Sequence, residues 1–165
     1  MTAAPTRRRP AHPAVAGLAI LALAAAGTST VTLAATARPA AVGVQLSGRT
    51  ALAKAESPTV LIDRGTISGS PVGTGRITLV YRLRPREGVA STTFTIVNAR
   101  GTVRGQARST YVVTRLHLTF TGAGSLTGGT GAYRGIRGRP LAFDAVHSIT
   151  GRREAVVLSG RATLP

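Results

Sequence analysis

From Pro58 to the C-terminus, apolar and polar residues alternate along the chain with a period of two. Residues 77–84 place Ile, Leu, Tyr and Leu on one face and Thr, Val, Arg and Arg on the other. Alternation of this kind, rich in Thr, Val, Ile and aromatic residues, is typical of half-buried β-strands. Glycine- and proline-containing turns separate the runs, which predicts short strands joined by hairpin loops. The same pattern recurs in residues 92–98, 115–121, 141–149 and 155–163.

The absence of helical periodicity between these runs favours an antiparallel sheet. A sheet of seven or eight strands has two open edges unless it closes on itself, and closure removes both. We therefore predict an all-β fold, a closed antiparallel β-barrel of about eight strands over residues 58–165, with a β-sandwich as the competing fold. Residues 38–57 show no sustained period, so they are predicted to be a linker or a short edge strand.

The N-terminal segment, residues 1–37, has the organisation of a signal peptide. Arg7, Arg8 and Arg9 form a basic start, and an uncharged apolar stretch follows over residues 14–26. Small Ala35 and Ala37 then occupy the two positions that signal peptidase reads. The alternative is a membrane anchor, but spanning a bilayer takes roughly 20 apolar residues. We expect cleavage near residue 37 and a protein that is secreted or associated with the cell envelope.

Composition narrows the classes of function. The chain has no cysteine, which excludes disulfides, thiol catalysis and cysteine metal sites. Its formal net charge is +16, which predicts attraction to polyanions such as acidic cell-envelope polymers or lipids. All basic residues except Lys54 are arginine, and a GC-rich coding sequence would produce the same excess. No nucleic-acid-binding motif accompanies the charge, so no specific nucleic-acid partner is predicted.

The segment "GSLTGGTGAYRGIRG", residues 124–138, is the densest cluster of glycines. A phosphate-binding loop would need a following helix, and a Walker A motif would need a Gly-Lys-Ser/Thr sequence, which is absent. Gly138 and Pro140 would end any helix after one turn. The segment is therefore predicted to be a turn that requires unusual backbone angles and packs around Tyr133. Its structural glycines are Gly128, Gly129, Gly131, Gly135 and Gly138.

"LTGGTGAYRGIRG" resembles the G-G-T-G-x-[FY]-x-x-A-R-G segment of the allene oxide cyclase barrels and the dirigent proteins. The stretches "GTISGSPVGTGRITL", "TFTIVNARGTVRG" and "LTFTGAGSLTGGTGAY" are similar to the strands that precede it in bacterial exported relatives. The resemblance covers roughly residues 58–163. It implies an eight-stranded antiparallel barrel with a central cavity, of a kind that is often trimeric or dimeric. Because a closed barrel has no free edges, any homo-oligomer is expected to form through side chains on the outer wall.

The catalytic residues of these families do not carry over. Arg137 matches the arginine of the A-R-G segment, whereas Ile136 replaces its alanine. Ala132 stands where several dirigents have an acidic residue, and the glutamate and cysteine of the cyclases have no counterpart. We therefore predict binding of a small molecule without catalysis, and an isomerase of the cyclase type if a reaction occurs.

The other residues with chemical potential form no recognisable site. His117 and His147 are each expected to be ordinary strand residues, solvated or hydrogen-bonded. Asp144 and His147 lie three residues apart on one strand, so they point to opposite faces and cannot pair. No spacing suits a metal, and no cofactor is predicted.

Ligand contacts are predicted from the strand that carries Tyr81 and Arg82 and from a mouth formed by Tyr133, Arg134 and Arg137. If the face of Arg82 lined the cavity, its guanidinium would anchor an anion in an apolar pocket. An arginine at the mouth would hold a carboxylate, and the small number of aromatic residues would leave space inside. The predicted ligand is small, apolar or aromatic, with a carboxylate as an option. The alternative function is binding of acidic envelope polymers or lipids through the arginine-rich surface.

Overall fold

The computed structural model describes residues 39–164, so the predicted signal peptide lies outside the described residues. Eight strands and one short 3-10 helix, Gly131–Tyr133, make up this part of the chain. No helix within it is long and apolar enough to cross a membrane. The strands are β1 (Ala40–Ser57), β2 (Val60–Ser70), β3 (Gly75–Arg84), β4 (Val89–Asn98), β5 (Gly101–Val113), β6 (His117–Gly129), β7 (Gly138–Ser148) and β8 (Glu154–Leu164).

The eight strands form one closed antiparallel barrel in sequence order. Each strand pairs with its neighbours along the chain, and β1 closes the ring by pairing with β8 from Ala40 opposite Leu164 to Thr50 opposite Glu154. The predicted barrel is confirmed, and the competing sandwich is wrong. Closure leaves no strand edge unpaired, which satisfies the backbone groups that an open sheet would expose.

The prediction for residues 38–57 is wrong, because Ala40–Ser57 forms β1, the longest strand of the barrel. Val44, Leu46 and Thr50 face inward at alternate positions. The period was hard to see because Gly48 occupies one inward position and Thr50 another, which interrupts the apolar series. Pairing with β8 as well as β2 gives this segment its strand structure, and β8 is more than 90 residues away in the sequence.

Alternation along the strands fills the barrel with apolar side chains. In β3, Ile77, Leu79 and Tyr81 are buried, whereas the residues between them are partly or fully exposed. Five of the six aromatic residues are at most 1% exposed, so the interior is packed where the sequence suggested open space. These five are Tyr81, Phe94, Phe120, Tyr133 and Phe143.

The glycine-rich segment is a turn only over residues 130–137; Gly128 and Gly129 end β6 and Gly138 begins β7, so these three predicted turn glycines lie in strands. Gly131 has φ +58°, and a Cβ there would collide with the Arg100 carbonyl oxygen of the neighbouring hairpin. Only glycine combines this left-handed conformation with so close an approach. The only helical residues after the glycines are three in a 3-10 turn. The segment therefore joins β6 to β7 and lacks the following helix that a phosphate-binding loop requires.

The two ends of the barrel differ in character. We call the end that carries loops 58–59, 85–88, 114–116 and 149–153 the polar end, because buried polar side chains lie inside it. We call the opposite end, which carries loops 71–74, 99–100 and 130–137, the glycine end. This division matters for the site, since the predicted ligand contacts do not all lie at one end.

Candidate functional site

A buried hydrogen-bonded pair of side chains, Asp63 and His147, crosses the interior at the polar end; we call it the Asp63–His147 couple. Nδ1 of His147, on β7, lies 2.9 and 3.0 Å from the two carboxylate oxygens of Asp63, on β2. Both side chains are 1% exposed. Because a carboxylate only accepts, Nδ1–H donates to Asp63 and the lone pair of a neutral ring is on Nε2. This arrangement orients His147 as a proton acceptor in the manner of a carboxylate-supported histidine.

Tyr81 of β3 lies beside this couple. Its ring stacks on Phe120 with centroids 4.5 Å apart, and it meets the His147 ring edge-on at 6.1 Å. The pKa of Tyr81 is raised well above its ordinary value, mainly because the phenol is buried and secondly because of the negative charge of Asp63. The group is therefore a neutral phenol in the folded barrel at ordinary pH, able to donate its proton to a hydrogen bond.

Four buried hydroxyl groups inside the barrel have no hydrogen-bond partner among the described residues. They are inward-facing, and strand pairing places them toward the polar end with the Asp63–His147 couple. Buried polar groups are paired in most folded proteins, and those that are not often mark a bound molecule or a functional site. The four belong to Thr50, Tyr81, Thr92 and Ser109.

The raised pKa of Tyr81 predicts an alkaline loss of stability. Below pH about 10 the phenol is protonated in both the folded and the unfolded chain, so it does not make the free energy of unfolding depend on pH. Above that pH the unfolded chain releases a proton that the barrel retains, so the free energy of unfolding falls as pH rises. We expect phenolate absorbance from Tyr81 to appear together with unfolding by circular dichroism. Tyr81→Phe should remove this component, and reversible ionisation in an intact barrel would contradict the prediction.

At the glycine end, Tyr133 is a structural residue. Its hydroxyl donates to the Val72 carbonyl at 2.8 Å and accepts from the Asn98 amide at 2.9 Å. The Arg100 guanidinium lies 5.5 Å from its ring centroid. These contacts tie the three loops of this end together, so the Tyr133 hydroxyl is already satisfied without a ligand.

Arg137 also holds the turn. Its Nη1 donates to the Ile136 carbonyl oxygen at 3.0 Å and to that of Thr127. A Cβ on Gly128 would lie 3.0 Å from the same nitrogen. Arg134, between these residues, is exposed. Arg137, which matches the arginine of the A-R-G segment, therefore binds backbone carbonyl groups of the turn in this structure.

The structure separates the predicted contact residues. Tyr81 lies inside the polar end, whereas Tyr133, Arg134 and Arg137 lie at the glycine end. Arg82 is exposed on the outer wall, because alternation points Tyr81 inward, so the condition for an interior anion anchor is not met. Every arginine of residues 39–164 is exposed. An unpaired guanidinium in this apolar interior would be very unfavourable, which explains the distribution.

Sequence reasoning missed the Asp63–His147 couple. It correctly separated Asp144, which is exposed, from His147, which is buried, but it had no means of pairing residues 84 positions apart. One signal was present: His147 continues the inward series of Leu141, Phe143 and Ala145 on β7. A charged or titratable residue on the apolar face of a strand indicates that a polar partner is buried with it.

The second histidine lies at the rim of the same end. Nε2 of His117 is 3.2 Å from a carboxylate oxygen of Glu154, and both side chains are partly exposed. Within residues 39–164, no three His, Asp or Glu side chains converge in a way that could hold a metal ion. The couple is therefore the one buried acid–base pair in the described part of the chain.

Comparisons with known proteins give little beyond the fold. No family model matches the sequence, and no curated protein matches it. The solved structure of a pyocyanin demethylase is similar at 20% sequence identity, covering 71% of this chain and 98% of that one, with a TM-score of 0.35. A likeness this distant carries no conclusion about what this protein binds or does.

Proposed function

We propose that this protein is an exported barrel of the allene oxide cyclase/dirigent type that binds a small aromatic molecule at its polar end. The observation that carries the proposal is the set of partnerless hydroxyls around the Asp63–His147 couple. A small-molecule site usually combines apolar side chains with a few convergent polar groups, and the interior of the polar end has both. The glycine-rich resemblance and the closed barrel support the family, and small barrels of eight strands have room for one small ligand at most.

Access to the cluster is governed by the next inward-facing side chains toward the strand ends. Leu52, Leu83 and Tyr111 are partly buried and pack against the core. Tyr111 contacts Phe120 with ring centroids 5.7 Å apart, so it extends the aromatic stack of Tyr81 toward the mouth. Because the interior is packed, admission of a ligand requires rotation of these three side chains, a movement that leaves strand pairing intact. A flat aromatic ligand would continue the same stack.

The ligand chemistry follows from the groups inside. The Asp63 carboxylate and the Nε2 lone pair of His147 accept hydrogen bonds, and the hydroxyl groups can donate or accept. A ligand with a phenolic hydroxyl or an N–H group fits this set. A carboxylate fits poorly, since it would approach Asp63 in a medium of low dielectric with no arginine in the interior to offset its charge. This replaces the carboxylate option that the sequence suggested for Arg137.

The same geometry favours proton-transfer chemistry as a second candidate. His147 has the orientation of a general base, and the Tyr81 phenol is a donor within the same cluster. In an isomerisation that moves a proton between two atoms of one molecule, Nε2 of His147 would take the proton from the first atom and return it to the second, while the Tyr81 phenol donates a hydrogen bond to the negative charge that develops. Binding comes first in this scheme, and the first experiment therefore tests binding.

The test uses 2-naphthol and 2-naphthoate as fluorescent probes of equal ring size. We expect the purified protein to bind 2-naphthol more tightly than 2-naphthoate. Thr50→Val with Thr92→Val should weaken 2-naphthol binding about tenfold, since each hydrogen bond is worth about 0.5–1.5 kcal/mol. Thr119→Val, an exposed change on β6, is the control.

The same double variant should be at least as stable as the parent. Replacing a buried hydroxyl that has no partner with a methyl group removes a desolvation penalty and leaves the shape unchanged. Weaker binding in an equally stable protein would show that the Thr50 and Thr92 hydroxyls bind a ligand and do not stabilise the fold. If the parent binds neither probe and carries no retained small molecule by native mass spectrometry, the proposal is wrong.

A further inference from the structure

Four large apolar side chains are exposed together at the polar end. They lie in two adjacent hairpin loops, 114–116 and 149–153, and at the strand end that leads into the first of them. The backbone N–H of Ile149 donates to the Leu116 carbonyl oxygen at 3.1 Å, so the two loops are joined. We call this set the apolar rim: Val112 at 65% exposure, Val113 at 66%, Leu116 at 47% and Ile149 at 52%.

The clustering is specific to this end. The other exposed large apolar residue of the described chain is Val97, on the outer wall of β4 near the glycine end. Apolar side chains scattered singly over a surface are ordinary, whereas a group on adjoining loop tips indicates an interaction surface. The rim lies beside Tyr111, at the end of the barrel through which the proposed ligand would enter.

Arginines flank the apolar rim. Arg115 lies within the first loop, and Arg152 and Arg153 lie within the second; all three are exposed. None of the three forms an ion pair within residues 39–164, while the nearby carboxylates of Glu154 and Glu87 are engaged by His117 and Arg84. The surface therefore combines aliphatic side chains with unneutralised positive charge.

We infer that the apolar rim docks onto a lipid bilayer that contains anionic lipids. Aliphatic tips can enter the acyl boundary while the arginines contact phosphate groups, which is the chemistry of interfacial membrane binding. A second copy of the chain fits less well, because a two-fold contact would bring the same arginines of both copies face to face. The inference does not depend on ligand binding; where both hold, an apolar ligand passes between bilayer and barrel without crossing water.

The test is sedimentation of the purified protein with vesicles. One set consists of phosphatidylcholine with phosphatidylglycerol, and the other of phosphatidylcholine alone. We expect binding to the anionic vesicles, with a loss of about fivefold for each of Arg115→Gln and Arg152→Gln. Leu116→Asn with Ile149→Asn should weaken binding at least about tenfold. Val97→Asn, at a site of 42% exposure, is the matched control and should bind as the parent does.

Three results would overturn the inference. The first is failure of the parent to sediment with anionic vesicles. The second is equal binding by the rim variant and the Val97→Asn control, which together with complete loss at high salt would assign binding to the arginine surface as a whole. The third is a concentration-dependent dimer that the rim variant abolishes, which would identify a second copy as the occupant. Binding of 2-naphthol is measured separately, so failure here leaves the ligand proposal standing.

Discussion

Replacing His147 with alanine is expected to lower the free energy of unfolding by about 3–5 kcal/mol, since it leaves the Asp63 carboxylate buried and unpaired. Asp63→Ala should be destabilising for the converse reason, because the histidine loses the acceptor that orients it. A domain of this size is stabilised by only about 5–15 kcal/mol, so either change brings the barrel close to unfolding. Chemical denaturation followed by circular dichroism gives the values.

A double-mutant cycle then measures the interaction between the Asp63 and His147 side chains separately from the cost of burying each of them. Asp63→Leu with His147→Leu removes both polar groups from the interior, so we expect it to be much less destabilising than the sum of the single leucine changes, Asp63→Leu and His147→Leu. Asp144→Ala is the control, because that carboxylate is exposed on the same strand as His147. Single variants as stable as the parent would show that the couple carries no buried charge.

Gly105→Ala is expected to destabilise the barrel by about 3 kcal/mol or more through overpacking. Gly105 faces the interior from β5, and a Cβ there would lie 2.5 Å from the Ser125 carbonyl oxygen and closer still to the ring of Phe94. The carbonyl belongs to the backbone of β6, so it cannot move aside without disturbing the pairing of β5 with β6. The ring is buried, at 1% exposure, so it can move only by displacing other core side chains.

The control is Gly43→Ala, since nothing lies within 4 Å of a Cβ at that position. It should change the free energy of unfolding by no more than a few tenths of a kcal/mol. Adding Phe94→Leu to Gly105→Ala removes the ring atoms that collide and should restore part of the stability. If the double variant is no better than Gly105→Ala alone, the collision with Phe94 is not the cause.

The sequence by itself determined the class of fold. Alternation over residues such as Ile77, Leu79 and Tyr81 identifies which side of each strand is buried, because side chains along a strand point to opposite faces. It also placed Arg82 opposite Tyr81 and separated Asp144 from His147. The glycine-rich turn could also be predicted, because the backbone conformation at Gly131 depends on the local sequence.

Tertiary structure decided everything that depends on which strands become neighbours. Residues 40–57 became a full strand because β8 pairs with residues 40–50 and β2 pairs with residues 45–57. Tyr81 and Tyr133, predicted to share a site, lie at opposite ends of the barrel because each strand runs from one end to the other. Asp63 and His147 meet because closure brings β2 and β7 around a common interior. Alternation fixes the face of a side chain but not the strand across from it, so a site assembled across the barrel has no local signature in the sequence.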